Sequence, residues 1–379
     1  MNRTADVVII GGGATGCSLA YHLAEQGCKD VVICERSYLA SGSTGRCAGG
    51  VRQLWGLEEN CRFATESVEE FKVMHERFDL DVEYHQCGYI TLAFTDEDVT
   101  KYKKNVALWQ ERGIDVSFLT PQDVREISPL LKTEAILGAI HCASDGWANP
   151  FYVTRAFAKA AERSGVKICT YTEVTDIETE SDQIVSVVTR NGKIHTPTVV
   201  NAAGGFSQVI GQMVGIKLPT ESERHQILVT EPLAPVLGPH VNIFTPPVYL
   251  KQSKHGNLIM GRGDPEPPSY DDNSSWEFPV EVSSFLVELF PNIQDVSVIR
   301  QWAGLYNMTP DQSQIMGEAP GVRGFYQAIG FSGHGFMFSP AVGRVMSEII
   351  LQKEPSIPID SLTLERFEQG KLLFEPMVN

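Results

Sequence analysis

Hydrophobic positions open the chain in two successive patterns. Val7-Val8-Ile9-Ile10 is an unbroken β-branched run, the pattern of a strand buried on both faces of a parallel sheet. Leu19, Ala20, Leu23 and Ala24 then recur at helical spacing, and Gly27 stands where a helix end favours a left-handed residue. A second apolar run, Val31 to Cys34, ends on Glu35 and Arg36. Between the first run and the helix lie Gly11, Gly13 and Gly16 in GxGxxG spacing. The pattern predicts a βαβ unit. Gly11 makes the tight turn, Gly13 lets a pyrophosphate approach the backbone, and Gly16 lets helix lie on strand. Ala14 and Thr15 open the helix, whose N-terminus faces the phosphates, and Glu35 can accept from a ribose hydroxyl.

Further along, Glu58 to Phe78 reads as a charged amphipathic helix, 96–112 as a polar helix and Phe151 to Ser164 as a third. Strands are predicted at Gly88 to Phe94 and at Ile184 to Thr189, the latter before an Asn191-Gly192 turn, and another runs from Thr198 into Gly204-Gly205. Between 220 and 310 the pattern is alternating strands with proline- and glycine-rich turns: Gln226–Thr230, Val248–Lys251, Leu258–Gly261 and Val296–Trp302. A strand from Gly324 enters a second glycine-rich turn, Gly330 to Phe336, and a helix is expected from Pro340 to Leu351. Ser41 to Gln53 is too polar for a strand and too rich in glycine for a stable helix. The expected fold class is α/β plus α+β. Residues 1–80, 150–220 and 320–379 form a Rossmann-like nucleotide domain, interleaved with a mixed or antiparallel-sheet substrate domain of 81–149 and 221–319. A cleft lies between them.

Composition narrows the partners. Lys and Arg total 31 against 47 Asp and Glu, a net charge of −16, which argues against nucleic acid or an anionic membrane as the main partner. The 8 cysteines show no CxxC or CxxH pairing, so no metal site is expected, and their distribution suits a reducing compartment. No apolar run reaches membrane-spanning length and the N-terminus does not read as a signal peptide. The expected location is the cytoplasm, with peripheral membrane docking left open.

Taken together, the opening fingerprint, Gly42-Ser43-Thr44-Gly45-Arg46-Cys47-Ala48-Gly49-Gly50-Val51-Arg52-Gln53, Val199 to Gly204 and Gly330 to Phe336 resemble the FAD-dependent amine and amino-acid oxidoreductases. That family includes D-amino-acid oxidase, glycine oxidase and sarcosine oxidase, and the resemblance covers essentially the whole chain. Within it the chain most resembles the β subunits of dye-linked L-proline dehydrogenase and heteromeric sarcosine oxidase, through Arg46-Cys47, Val51-Arg52-Gln53, Trp302-Ala303-Gly304 and Arg366-Phe367. Two glycine-rich turns, one near each end, are more than a nicotinamide cofactor needs. The resemblance implies FAD, with Gly11 to Gly16 on the pyrophosphate, Glu35 and Arg36 at the ribose and adenine end, and Ser43, Thr44 and Arg46 beside the phosphates. It puts Val174, Ala203 and Gly204 along the nucleotide, and Gly330, Gly333, His334, Gly335 and Phe336 toward the flavin. Gly304 stands where monomeric sarcosine oxidase ties its flavin to cysteine, so FAD is expected to be non-covalent. Pro150 lies near a histidine that heteromeric β subunits bond to FMN, so an FMN at a subunit interface would also be non-covalent.

The resemblance further implies oxidation of an amine next to a carboxylate by hydride transfer from its α-carbon to flavin N5. A cleft that holds a carboxylate needs a cation, ideally a guanidinium. Arg52 fits that role, or else pins the glycine loop. Tyr306 matches a substrate-binding tyrosine of sarcosine oxidases, and Met337 replaces a lysine that helps hold the carboxylate there. Lys251 falls near the lysine that promotes oxygen reaction, with His255 four positions on, but in sequence these residues read first as a solvated basic turn. His225 is a pocket wall or a satisfied core histidine. The expected activity is oxidation of proline, hydroxyproline, sarcosine or a relative, by a catalytic β subunit that passes electrons to a partner subunit or dye-like acceptor. A single-chain oxidase making hydrogen peroxide and a non-catalytic flavin-binding subunit are the two alternatives.

Overall fold

A computed structural model describes residues 3–263 and 265–375. Its centre is a six-stranded sheet in the order Ile315–Glu318, Phe325–Ile329, Val199–Asn201, Val7–Ile10, Val31–Cys34, Lys167–Cys169. All neighbours are parallel except the first pair. Strands in such a position are covered on both faces, and Val7–Ile10 and Val31–Cys34 are buried at every residue. On one face the Ala14–Glu25 helix packs between the Pro150–Arg163 and Gly335–Ile350 helices. The close crossing depends on Gly343, where a Cβ would stand 2.1 Å from Ser18 Oγ and 2.6 Å from the Ser18 backbone. A four-stranded sheet in the order Arg3–Thr4, Gly192–His195, Gln183–Thr189, Val174–Glu180 contributes Ile177, Ile184 and Val187 to the core on the other face.

The second large sheet has eight strands: Val298–Met308, Glu221–Pro232, Asn257–Arg262, Val248–Gln252, His240–Ile243, Tyr89–Ala93, Gly138–Cys142 and Val116–Leu119. It is antiparallel apart from the central His240–Ile243/Tyr89–Ala93 pair. The Phe278–Leu289 helix closes its own apolar core through Phe278, Val282, Leu286 and Leu289. The fold is thus the interleaved, two-sheet arrangement expected from the sequence pattern.

Several local expectations change. The Ser41–Gln53 segment is ordered: it forms a one-turn helix, Ser43–Arg46, and a two-residue strand, Gly50–Val51, paired with Gly146–Trp147. Tertiary partners supply what its composition withholds. The helix expected from Pro340 begins at Gly335 instead. Pro340 has no N–H for the Phe336 carbonyl one turn back, and the Ser339 hydroxyl donates to that carbonyl instead, at 2.8 Å. The strand expected to stop at Trp302 runs on to Met308, and Ile315–Glu318 already belongs to the six-stranded sheet, short of the boundary expected after 319.

Candidate active site

The first turn of the fold is built around absent side chains. Gly11 has φ +119, and a Cβ there would meet Ala202 O at 2.3 Å; a Cβ on Gly16 would meet Gly11 O at 2.1 Å. Gly13 is the N-cap of the Ala14–Glu25 helix and has no side chain of its own to cap the first turn, where the Ala14 N–H is taken by a threonine from another segment. That helix end opens on a cavity of about 280 Å³, the arrangement that suits a phosphate. Gly11, Gly13, Ala14, Thr15, Glu35, Arg36, Ser43, Thr44, Arg46, Val174, Ala203, Gly204, Gly330, Gly333, Gly335 and Phe336 all line it. Gly16 does not, since its work is the helix-to-turn contact.

Several of these residues are already engaged. The Glu35 carboxylate accepts from Gly12 N at 2.8 Å and from Ser37 N at 2.8 Å, tying the glycine turn to the end of the second strand. Thr44 Oγ1 accepts from Ala14 N at 3.1 Å, and the Ser43 hydroxyl donates to Leu305 O. Arg36 lies 3.6 Å over the Phe206 ring. Arg46 donates to Ala303 O at 2.7 Å and pairs with Asp272 at 2.6 Å, so its charge is partnered within the protein. Its side chain also fills the space beside Gly304, where a Cβ would stand 3.0 Å away.

His334 departs from expectation. Its ring turns into the interior, with Nε2 3.1 Å from Gln314 Oε1 and the ring 4.8 Å from Trp55, and burial pushes it down to about 3. It is a neutral packing residue. The flanking Gly333, Gly335 and Phe336 face the cavity instead. Asn307 has no counterpart among the expected residues: its Oδ1 accepts from Gly330 N at 2.8 Å while its buried Nδ2 has no partner among the described residues. It lines the cavity. No sequence signal marked it, because it lies on the part of the strand beyond Trp302.

Tyr306 links this cavity to a second cluster of polar groups. It lines the cavity, crosses Gly333 so closely that a Cβ there would stand 2.5 Å from its ring, and stacks on His225 at 3.7 Å. Burial pushes its hydroxyl up to about 12. His225 also faces Glu223 at 3.3 Å. Around Arg52 gather Tyr89, Glu375, Asp145 and Tyr306, each close enough to act on its charge. The Arg52 guanidinium stacks 4.1 Å from Trp55 and 5.9 Å from Phe244, and makes no hydrogen bond or ion pair with any described residue. Burial disfavours its charge. His240 is stacked 3.9 Å from Tyr89, its Nδ1 is buried without a partner, and burial beside Lys251 and Arg52 holds it well below the ordinary range.

The basic turn separates into two fates. Lys251 is 3 % exposed, lies 4.1 Å over the Trp147 ring, and is pushed down to about 8 by burial. The solvated-turn reading fails for it because residue 251 belongs to the Val248–Gln252 strand, inside the eight-stranded sheet. His255 sits on the turn with its side chain 76 % exposed, facing Glu83 at 3.8 Å and away from the cluster. No group of three or more His, Cys, Asp or Glu residues among those described could hold a metal ion.

The fold and cavity agree with the comparisons. The model of the FAD dependent oxidoreductase (DAO) family matches residues 6–349. The chain belongs to that family. Sarcosine oxidase subunit beta of Arthrobacter sp is 31% identical over 98% of this chain and 93% of its own length. The crystal structure of L-proline dehydrogenase from P.horikoshii superposes with a TM-score of 0.95 at 36% identity, covering 98% of this chain and 100% of that one. Glycine oxidase from Geobacillus kaustophilus follows the same fold, with a TM-score of 0.89, 25% identity and coverage of 96% and 99%. As a DAO-family FAD-dependent oxidoreductase, the chain has residues that fit its cofactor. The N-terminus of that helix and the Asn307 amide, which has no partner among the described residues, are both donors on the cavity wall, and Gly11 and Gly330, where a side chain would clash, would with Gly13 hold FAD.

Proposed function

We propose that the chain oxidises the carbon–nitrogen bond of a small α-amino acid or secondary amine bearing a carboxylate, to the imino acid. The observation that carries this reading is the Arg52 guanidinium, enclosed beside Tyr306 and in no ion pair with any described residue, with the Glu375 and Asp145 carboxylates acting on it without forming one. A buried unpaired cation is costly, and a substrate carboxylate supplies the missing partner. Relatives named sarcosine oxidase subunit beta and L-proline dehydrogenase act on molecules of this kind. Bound FAD supplies the two-electron acceptor that takes hydride from the substrate carbon.

The chain's residues then have three tasks. Arg52 binds and orients the carboxylate, and the Trp55 and Phe244 rings keep its guanidinium in one plane. Tyr306, held between His225 and Gly333, fixes the substrate against the cavity wall. The walls exclude water and disfavour further positive charge, because Arg52 and Lys251 are both buried cations. This selects the neutral amine, whose lone pair is required as the C=N bond forms. Within this reading, relatives named as β subunits favour a partner subunit as electron acceptor. The buried Lys251 favours the second reading, a single-chain oxidase that hands electrons to oxygen.

Arg52→Ala is expected to weaken use of carboxylated amines by about 2–4 kcal/mol, near thirty- to a thousand-fold in kcat/KM, while amines without a carboxylate lose little. Equal losses for both classes would remove Arg52 from the role. Peroxide release measured against dye reduction on the same preparation separates the two acceptors: equal rates would establish the oxidase.

A further inference from the structure

The short strand pair Gly50–Val51/Gly146–Trp147 has a register in which Val51 faces Gly146, so the next positions, Arg52 and Asp145, leave the ladder side by side. Asp145 is 0 % exposed. One carboxylate oxygen, Oδ1, accepts from Gln53 N at 3.0 Å and from Gln53 Nε2 at 2.9 Å, and the Gln53 amide also donates to Ser144 Oγ at 2.8 Å. The backbone of Asp145 is held as well, its carbonyl accepting from Gly88 N at 2.9 Å. The other oxygen, Oδ2, is buried and has no hydrogen-bond partner among the described residues. Arg52 and Asp145 act on one another's charge without forming an ion pair. An acid fastened at one oxygen, left open at the other, and set beside an unpartnered guanidinium is an unusual investment for a turn that only needed closing.

We propose that Asp145 is a positioning residue for Arg52: it fixes the Arg52–Gln53 turn through Oδ1 and takes up a proton at Oδ2 when a carboxylate binds to Arg52. The inference rests on the reading of Arg52 as the carboxylate clamp. The physical argument is a charge balance. In the empty site the Arg52 cation favours the ionised Asp145, while burial opposes it and pushes the acid up to about 6. An incoming carboxylate cancels the Arg52 charge, so the acid loses its counter-charge and rises further. Binding and protonation are then linked, and each favours the other by the same factor. The other titratable groups facing Asp145 are Cys142 on its own hairpin, Tyr84 and Cys87 on the preceding segment, and Tyr89 on the neighbouring strand. Burial raises every one of them, so they stay neutral near pH 7 and Arg52 is the single fixed charge in the set. The sign follows: affinity for a carboxylate falls as pH rises from 6 upward, by at most about tenfold per pH unit where one whole proton is taken up.

The test uses the FAD-loaded protein and acetate, which carries the carboxylate but no amine whose own titration would interfere. Calorimetric titration between pH 6 and 8, in buffers of differing ionisation enthalpy, reads affinity and protons taken up together. The wild type should take up a fraction of a proton and lose affinity as pH rises. Asp145→Asn keeps an oxygen for Gln53 but cannot take up the proton, so it should bind acetate with no proton uptake and a flat pH profile. Uptake in Asp145→Asn equal to the wild type, or none in either, would overturn the assignment, as a purely structural Asp145 requires. Arg52→Ala separates this failure from that of the underlying reading: if it binds acetate as well as the wild type, Arg52 is not the clamp. Retained FAD and an unchanged unfolding midpoint for Asp145→Asn show that the comparison is made on folded protein.

Discussion

At the scale of single residues, the chemistry of this chain is set by which charged groups keep a partner and which do not. Arg46 and Arg52 lie six positions apart on one glycine-rich segment, yet Arg46 spends its charge on Asp272 and Ala303 O while Arg52 keeps its own. Nothing in their spacing or composition says which of the two keeps a partner. The same holds for Lys251 and His255, one sealed against Trp147 and the other in solvent. Lys251 yields a signed expectation. Its folded value of about 8 lies below the ordinary 10.5, so the unfolded chain binds more protons between those values and stability contributed at this site rises with pH. Lys251→Met removes the buried charge, and its stability relative to the wild type should be greatest at pH 7 and shrink by pH 10, by up to about 3 kcal/mol. Denaturant unfolding of the FAD-loaded proteins at the two pH values measures the difference, and a constant offset would contradict it.

At the scale of elements, the decisive features are positions where a side chain has no room. The Gly16 Cβ would stand 2.1 Å from a backbone oxygen of the turn it crosses, and backbone cannot step aside as a flexible side chain can. Gly16→Ala is therefore expected to lift the helix off the glycine turn and to cost FAD affinity more than a hundredfold. Flavin fluorescence during dialysis would show it, and retention of FAD at the wild-type rate would refute it. The glycine fingerprint was legible because the order strand, turn, helix, strand and acid is itself local. The Ser43–Arg46 turn and the Gly50–Val51 strand were not. They exist because Ser43 reaches Leu305 O, Trp302 Nε1 reaches Arg46 O at 2.9 Å, and Gly146–Trp147 offers an edge. Each of those partners lies roughly a hundred residues or more away in the chain.

At the scale of the whole molecule, the C-terminal segment fastens the second glycine-rich turn to the start of the Glu58–Phe78 helix. Arg366 and Asp311 form a fully buried pair at 2.7 Å, and Arg366 also donates to Ser313 O at 2.7 Å and Gln314 O at 3.0 Å. Gln314 in turn contacts His334 and Asn60, and Glu375 accepts from Gly56 N and from Asn60 Nδ2 at 3.0 Å. Breaking such a pair leaves a buried charge uncompensated, so Arg366→Met should destabilise the protein by about 3–5 kcal/mol. The Arg366 guanidinium holds the Asp311 carboxyl below its ordinary 3.8. A depressed acid stabilises the fold above the ordinary value and stops doing so as pH falls through the folded one. The pair's contribution should thus persist at pH 5, begin to fall as pH drops below the ordinary 3.8, and be lost only as pH passes the folded value beneath it. Thermal melts of wild type and Arg366→Met across that range should converge in acid, and a constant gap would count against the pair.

The sequence by itself determined what local order can carry: the buried parallel strands, the glycine before the first helix, the glycines that leave a dinucleotide room, and the acid that ends the second strand. These depend on neighbours within one βαβ unit, where spacing and residue size are the whole of the physics. Only the tertiary structure decided which of several equivalent cations stays unpaired, that His334 faces inward, that Asn307 presents a free amide to the cavity, and that Asp145 stands beside Arg52. Pairing and burial are properties of the space between distant strands, and the free energy of a charge depends on what else has been brought into that space.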